Sequence, residues 1–376
     1  MNKKINIGLI GHKFMGKAHS HAYRDINMFF KLPFQVVPHT LCGVGNDLDE
    51  IADRYGFINT EEDWKKVVSN PDIDVIDICT PDSLHREIVI AAAKAGKHII
   101  CEKPLTVDYG SSKEMCDEAN RNGIKTLCNF TYRGVPAIRL IKKLIDQDKI
   151  GKLYTLKMQY LQDFSLSPQF PFVWRMDNAF AGPGIFGDKG SHLIDMTRYF
   201  FGEFASVCSM SRVYINSRRD LATGALKEIS TPDCAMFMAK LECGAMAFYE
   251  ISNMAAGRKN AFLIEINGEK GSILFDLERL NEIQYFNNDD PPDQKGFKTI
   301  LVTEQEHEFI PNWWPSGHVL GWEHTFIHQF HDFFMAVSGQ QKSVSSFEDG
   351  SRCQQIVDAT VLSDKLGRWV RVNEIV

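Results

Sequence analysis

The sequence predicts an α/β domain on a doubly wound parallel sheet over residues 1–130, then an α+β domain with a large, open, mainly antiparallel sheet over residues 131–376. Three observations carry this. At 376 residues the chain exceeds the roughly 250–300 at which a single core stops growing. Its first third alternates short apolar runs with longer helical patterns, as parallel strands joined by right-handed crossovers require. Beyond residue 130, strand-like runs instead follow one another directly.

In the first domain the apolar runs are residues 5–10, 39–44, 75–79, 98–101 and 125–130, and helical periodicity covers 17–30, 48–55, 83–95 and 111–122. Gly96 and Gly123 stand just past two of these helices, where a left-handed residue closes the last turn. Thr60 with Asp63 resembles a capping box opening a helix over 61–69. In the second domain, helices at 135–146 and 188–201 precede runs at 206–214, 235–241, 246–252, 262–267, 272–277 and 299–303. Tight links such as Glu242-Cys243-Gly244 join these runs and imply antiparallel pairing. The open sheet needs a cover, for which the helices at 323–337 and 348–366 or a partner subunit are available.

The composition, 44% hydrophobic and 24% charged with a net charge of -6, offers no electrostatic footprint for nucleic acid or an anionic membrane. No run approaches the ~18 apolar residues of a membrane span. The expected partner is a small molecule. Nine cysteines, an odd number with no C-x-x-C pair, read as thiols in a reducing compartment. The chain passes from Met1-Asn2-Lys3-Lys4 straight into a strand, so a cytoplasmic protein is expected.

Residues 5–16 lead from a strand into a helix through Gly11-His12-Lys13-Phe14-Met15-Gly16. In a Rossmann domain such a turn holds a dinucleotide pyrophosphate on main-chain NH groups and the positive end of the helix dipole. Gly11 and Gly16 match the first and third glycines of the fingerprint, and Lys13 occupies the second. A side chain there narrows the approach, although its ammonium can contact a phosphate. On this motif alone, a turn that binds no nucleotide remains a competing reading. About 20 residues further on, where an acid would bind the ribose, Asn46 stands in Val44-Gly45-Asn46-Asp47. Asn46 can hydrogen-bond a ribose without repelling a 2′-phosphate. NAD and NADP both stay open, with Asp47 favouring NAD.

Two further strands end in Cys79-Thr80-Pro81-Asp82-Ser83-Leu84-His85 and Cys101-Glu102-Lys103-Pro104. Ligands of open α/β sheets collect at these carboxyl ends, so Thr80, Pro81, His85, Glu102 and Lys103 are expected beside the cofactor. With the glycine turn, Asn129, Tyr132, Arg133, Pro136, the run 182–192 and Asp195, the whole chain resembles the Gfo/Idh/MocA oxidoreductases. Residues 14–20, 160–163 and 192–199 resemble its members that act on anhydro-sugars. The resemblance implies a nicotinamide cofactor on the first domain, with Asn129 among its contacts, and a sugar, anhydro-sugar or cyclitol against the second domain's sheet. It implies a catalytic lysine from E-K-P and an aspartate and histidine spaced D-x-x-x-H, to which Lys103, Asp188 and His192 correspond.

The chemistry asks for these residue types. Oxidising an alcohol releases a proton, so a base that titrates near the working pH must touch the hydroxyl, and histidine does so unperturbed. His192 is read as the acid/base, Lys103 as its electrostatic partner or relay, and Asp188 as a ligand of a substrate hydroxyl. Which of His192 and Lys103 takes the proton stays open. Asp188, His192 and Asp195 are spaced to share one helix face. Tyr132, Tyr160, Gln162, Asp163, Trp174 and Arg175 form the expected sugar-binding set, an aromatic face with hydroxyl-reading polar groups.

His324, His328 and His331 also share a helix face, but Phe326, Phe330, Phe333 and Phe334 make this a packing helix, and no metal is expected. Nothing in the sequence forces His12, His19 or His21, near the glycine turn, to ligate anything. Two other functions stay in play: an NAD-dependent glycosidase of the same fold, and a regulator that binds the dinucleotide without catalysis. Retention of Lys103 and His192 speaks against the regulator. An open sheet with an apolar outer face points to a homo-oligomer, a dimer or tetramer.

Overall fold

The computed structural model describes residues 3–340 and 345–376. Met1 and Asn2 of the N-terminal run lie outside them. The chain forms two compact units. One contains Met1–Thr106, Gly110–Val135 and Gly321–Arg352; the other contains Val107–Tyr109, Pro136–Leu320 and Cys353–Val376. The single boundary expected at residue 130 is thus crossed by a late segment that folds with the first unit.

The first unit is built on six parallel strands. In chain order its elements are β1 Lys4–Ile10, α1 Phe14–Phe29, β2 Gln35–Cys42, α2 Leu48–Tyr55, β3 Asn59–Glu61, α3 Trp64–Ser69, β4 Val75–Ile78, α4 His85–Lys94, β5 His98–Glu102, α5 Tyr109–Arg121 and β6 Thr126–Asn129. The sheet order is β3-β2-β1-β4-β5-β6. The order reverses between β1 and β4, which opens a crevice at their carboxyl ends. All four residues of β4 are buried, as in a sheet covered on both faces. Gly96 and Gly123 are left-handed, as the helix ends require.

Two expectations are corrected in this unit. Thr60 does not cap a helix: it pairs with Leu41 in the parallel β2–β3 ladder and donates to Asp49 Oδ1 at 2.5 Å. Asp63 alone caps α3, its carboxylate accepting from the Lys65 NH at 2.9 Å. The helix His324–Val337, expected as a cover for the second sheet, folds with the first unit instead. It packs in the first unit, where Phe326, Phe330, Phe333 and Phe334 are wholly buried. Phe330 stacks on Tyr23 of α1 with ring centres 5.0 Å apart. A helix that is aromatic around most of its girth must be covered on several sides, and α1 supplies one of them.

The second unit holds α6 Pro136–Asp146, β7 Leu153–Leu161, α7 Asn178–Ala181, α8 Ser191–Phe201, β8 Phe204–Arg212, the hairpin strands β9 Ser217–Arg219 and β10 Leu226–Glu228, β11 Cys234–Leu241, β12 Met246–Ser252, β13 Ala261–Gly268, β14 Gly271–Asp276, β15 Glu282–Asn287, β16 Lys298–Leu301 and β17 Val370–Arg371. Nine strands run in the order β16-β15-β14-β13-β7-β12-β11-β8-β17. All neighbours are antiparallel except β7 and β12, which are parallel. One face carries Leu156, Met158, Phe237, Tyr249, Ile251 and Ile264, all buried, and Thr197 of α8 reaches the Tyr249 hydroxyl on it at 2.9 Å. The helix Phe347–Leu366 does meet this sheet as expected, Asp364 accepting from Ser211 of β8.

Candidate active site

The turn after β1 is closed by sterics. Gly11 has φ 103°, and a β-carbon on it would fall 2.5 Å from the Cys79 carbonyl oxygen, so only glycine fits. A β-carbon on Gly16 would fall 2.0 Å from the Gly11 carbonyl oxygen. The loop therefore lies directly on the first turn of α1, and Lys13 stands at the N-cap with no acid in that turn. Four helix NH groups and the positive dipole end are left for an anion. Phe14 is exposed and stacks on Trp322 at 5.7 Å, with Met15 beside it. A β-carbon on Gly43, at the end of β2, would lie 2.0 Å from the ring of His12, which is thereby packed under the turn.

Asn46 lines a groove with Val44, Gly45, Leu48, Asp49, Thr60, Glu61, Glu62, Asp63 and Lys66. Four acids stand against one base there. Glu61 is held below the usual carboxylate range, first by the Asp63 backbone NH and also by Lys66. Such a rim suits ribose hydroxyls and repels a 2′-phosphate.

The carboxyl ends of β4, β5 and β6 carry the rest. His85 is wholly buried, with Nε2 3.0 Å from the Thr80 carbonyl and Nδ1 3.2 Å from those of Pro104 and Leu105. The geometry makes it a brace between two strand ends, where the sequence suggested a cofactor contact. Glu102 is likewise turned inward: Oε1 accepts from His19 Nε2 at 2.9 Å and Asn129 Nδ2 at 2.7 Å, and Oε2 from the Lys103 NH at 3.2 Å. His19 Nδ1 meets the Asp77 carboxylate at 2.8 and 3.0 Å, and Tyr23 donates to Asp77 at 2.7 Å. Burial pushes His19 down, but Asp77 beside it raises it well above its ordinary value. Glu102 is raised by burial and, on balance, held low by His19. Thr80 Oγ1 and Asn129 Oδ1 are buried without a partner among the described residues. These orphaned atoms and the glycine cradle fit a dinucleotide.

In the second unit, a single π-turn, Phe186–Gly190, runs into α8. Such widened turns occur frequently at functional sites. It presents Asp188 half-buried, followed by buried His192 and Asp195. The His192 ring meets Tyr160, at the end of β7, edge-on at 5.7 Å. Arg175 Nε lies 4.0 Å from Asp188 Oδ1, its guanidinium 4.4 Å from the Trp174 ring centre. Tyr160 and Gln162 both donate to Asn260 Oδ1, at 3.0 and 2.6 Å. Asp188, Arg175 and Trp174 are thus linked, and so are His192, Tyr160 and, through Asn260, Gln162. Asp163 is tied instead to Lys259 at 2.7 Å and the Gly257 NH at 3.0 Å, which hold it below its ordinary range. Tyr132 is buried in the turn Thr131–Gly134 of the first unit.

Sequence reasoning missed His19, Asp77 and Lys189. Asp77 had a signal, an acid inside the apolar run Val75-Ile76-Asp77-Ile78. Lys189 had none, since a lysine reads as a surface residue. It is 2% exposed, bonded to Asn253, 3.4 Å from Asp188 Oδ2, and lies over the rings of Phe164 and Tyr160 at 5.1 and 5.8 Å. This buried ammonium adds a cation beside Asp188.

Two family models match: "Oxidoreductase family, NAD-binding Rossmann fold" over residues 5–130, and "Oxidoreductase family, C-terminal alpha/beta domain" over residues 142–372. Levoglucosan dehydrogenase of Pseudarthrobacter phenanthrenivorans is 39% identical over 99% of each chain. A solved structure of levoglucosan dehydrogenase in complex with NADH and levoglucosan superposes with a TM-score of 0.95 at 39% identity, over 98% of this chain and 100% of that one. An oxidoreductase domain protein from Kribbella flavida gives 0.95 at 38% identity, over 98% and 99%. With both models matched and a relative this similar over almost its whole length, the chain belongs to the Gfo/Idh/MocA family of oxidoreductases.

Proposed function

We propose that the protein is an NAD-dependent dehydrogenase acting on a secondary hydroxyl of a sugar or anhydro-sugar, with His192 as acid/base, Lys103 as its cationic partner and Asp188 as a hydroxyl ligand. The observation that carries this is a glycine cradle of dinucleotide type in the same chain as the acid–histidine pair of the π-turn and α8. Relatives named for levoglucosan and for myo-inositol support a cyclic polyol as the substrate.

The cradle amides of residues 11–16, Asn46, Thr80 and Asn129 would hold the dinucleotide, whose nicotinamide supplies hydride acceptance and return. The chain's residues do the remaining work. Tyr160 and Trp174 cover the C–H faces of a pyranose ring, while Asp188, Gln162 and Arg175 read its hydroxyls. An imidazole nitrogen of His192 takes the hydroxyl proton as the C–H bond breaks, a step worth about 10²–10⁴ in rate. The Lys103 ammonium stabilises the alkoxide that develops. The acidic rim at Asn46 selects NAD over NADP.

Two coarser expectations join this reading. The nine thiols, none in a disulfide, suit the cytoplasm; no helix among the described residues is long and apolar enough to cross a membrane. Met210, Met236, Met238, Met246 and Phe248 are exposed on one face of the nine-stranded sheet, which suits a homo-oligomer. The decisive experiment is a panel of levoglucosan, inositols and monosaccharides with NAD and NADP, read by reduced-cofactor absorbance. Turnover of at least one cyclic polyol with NAD is expected; splitting of a chromogenic glycoside without net reduction would overturn the reading.

A further inference from the structure

An enclosed polar cluster of the first unit lies behind the lysine assigned above. His19 and Asp77 are 0% exposed and Glu102 is 5% exposed, yet all three are ionisable. Burying two carboxylates without a cation is prohibitive. Among the described residues, the imidazole between them meets both carboxylates. Its Nδ1 faces Asp77 at 2.8 Å and its Nε2 faces Glu102 at 2.9 Å. A neutral imidazole carries one N–H and satisfies one carboxylate; two carboxylates on opposite nitrogens call for the doubly protonated ring.

We propose that His19 is a positioning residue of the dehydrogenase site: an imidazolium clamped between Asp77 and Glu102 that fixes the Glu102 carboxylate and so sets the place and electrostatic field of Lys103. The role in hydride transfer rests on the function proposed above; the clamp itself does not. Two links make the connection. Glu102 Oε2 accepts the Lys103 backbone NH at 3.2 Å, and the Glu102 carboxylate and Lys103 ammonium attract one another. His19 lies three residues after Gly16 on α1, so the helix that closes the cofactor turn is tied to the strand that carries the lysine.

Among the described residues, groups from five elements face the ring. On α1, Tyr23 donates to the same Asp77 oxygen that His19 meets. From the β4 end come Asp77 and Cys79, whose sulfur is 3.3 Å from Nδ1 and whose thiol burial pushes up. From β5 comes Glu102, and from β6 Asn129, whose Nδ2 is 3.0 Å from Nε2 and converges with it on Glu102 Oε1. The helix His324–Val337 contributes the rings of Phe326 and Phe330, at 5.4 and 5.0 Å. His19, Asp77 and Cys79 also bring three metal-ligand atoms together. The nitrogen–carboxylate distances are those of hydrogen bonds, and both ring nitrogens are already engaged.

The test uses the full-length protein and needs no substrate. In ¹⁵N-histidine spectra at pH 8, the signals missing from His19→Gln are expected to show a doubly protonated ring; a neutral tautomer, or stoichiometric metal in the purified protein, would overturn the proposal. The Lys103 titration is then read from ¹³C-methylated lysines, assigned by Lys103→Arg. Glu102→Gln is expected to move it down by about one unit, and His19→Gln to move it up. A folded Glu102→Gln protein whose Lys103 titration is unmoved would show the cluster to be scaffolding alone and defeat the proposal. If no carbohydrate reduces NAD while both shifts appear, the function fails and the clamp stands.

Discussion

Gly16 lies so close to Gly11 that a β-carbon on the helix residue would fall 2.0 Å from the carbonyl oxygen of the loop residue. The obstacle is backbone, so no side-chain rotation relieves it. Gly16→Ala is expected to push the first turn of α1 off the loop and weaken NADH binding at least tenfold, about 1.4 kcal/mol or more. Fluorescence titration of the folded variant checks this; an unchanged Kd would refute the cradle.

Lys103→Ala and His192→Ala address the chemistry apart from binding. Each removes a group proposed to act on the substrate hydroxyl and leaves the glycine cradle intact. Turnover is expected to fall by about 100-fold or more in each, with the NADH Kd within a few-fold of wild type. Retention of more than a tenth of the wild-type kcat in both would remove the assignment.

How far the sequence spoke depended on whether a residue's neighbours were near in the chain. Strand–helix alternation, the glycine turn and D-x-x-x-H are local patterns, and they fixed the two sheets and the polar set at α8. The buried clamp is not local. His19, Asp77, Glu102 and Asn129 come from four elements spread over more than 100 residues, and only the sheet order β1-β4-β5-β6 brings them together. The same limit hid the place of residues 324–337, whose phenylalanines announced burial but not against which sheet.

Cofactor choice turns on the rim of the groove at Asn46. Asp49, Glu61, Glu62 and Asp63 line it, with Lys66 as the one cation among the described residues of that lining. A 2′-phosphate would meet four carboxylates, so kcat/KM is expected to be at least tenfold higher with NAD than with NADP. A tenfold preference for NADP would contradict the electrostatic reading of the rim.

The clamp also predicts a pH dependence of stability. His19 is raised above its unfolded value near 6.5, so its stabilisation is full below that pH and is lost as pH rises through the folded value. Glu102 is lowered, so its contribution is present above about pH 4.3 and is lost as pH falls through its folded value. The stability advantage of wild type over His19→Gln should peak between about pH 4.5 and 6.5 and shrink towards pH 9. Urea midpoints measured across that range provide the check; a constant difference would contradict a charged His19.

The last prediction concerns what holds the clamp from behind. Phe330 is wholly buried, stacks on Tyr23 at 5.0 Å and sets its edge against His19, also at 5.0 Å. Phe330→Ala would leave a cavity lined by the two residues that bond Asp77. A cost of about 3–5 kcal/mol is expected, while Leu221→Ala, at a position 76% exposed, should stay within about 0.5 kcal/mol. The cavity lets the His19 ring move, so Phe330→Ala should also weaken NADH binding under conditions where the protein is fully folded, although Phe330 itself carries no polar group. Chemical denaturation with an NADH titration on the same preparation separates the two effects. A large stability loss with an unchanged NADH Kd would show that the aromatic helix supports the fold without supporting the site.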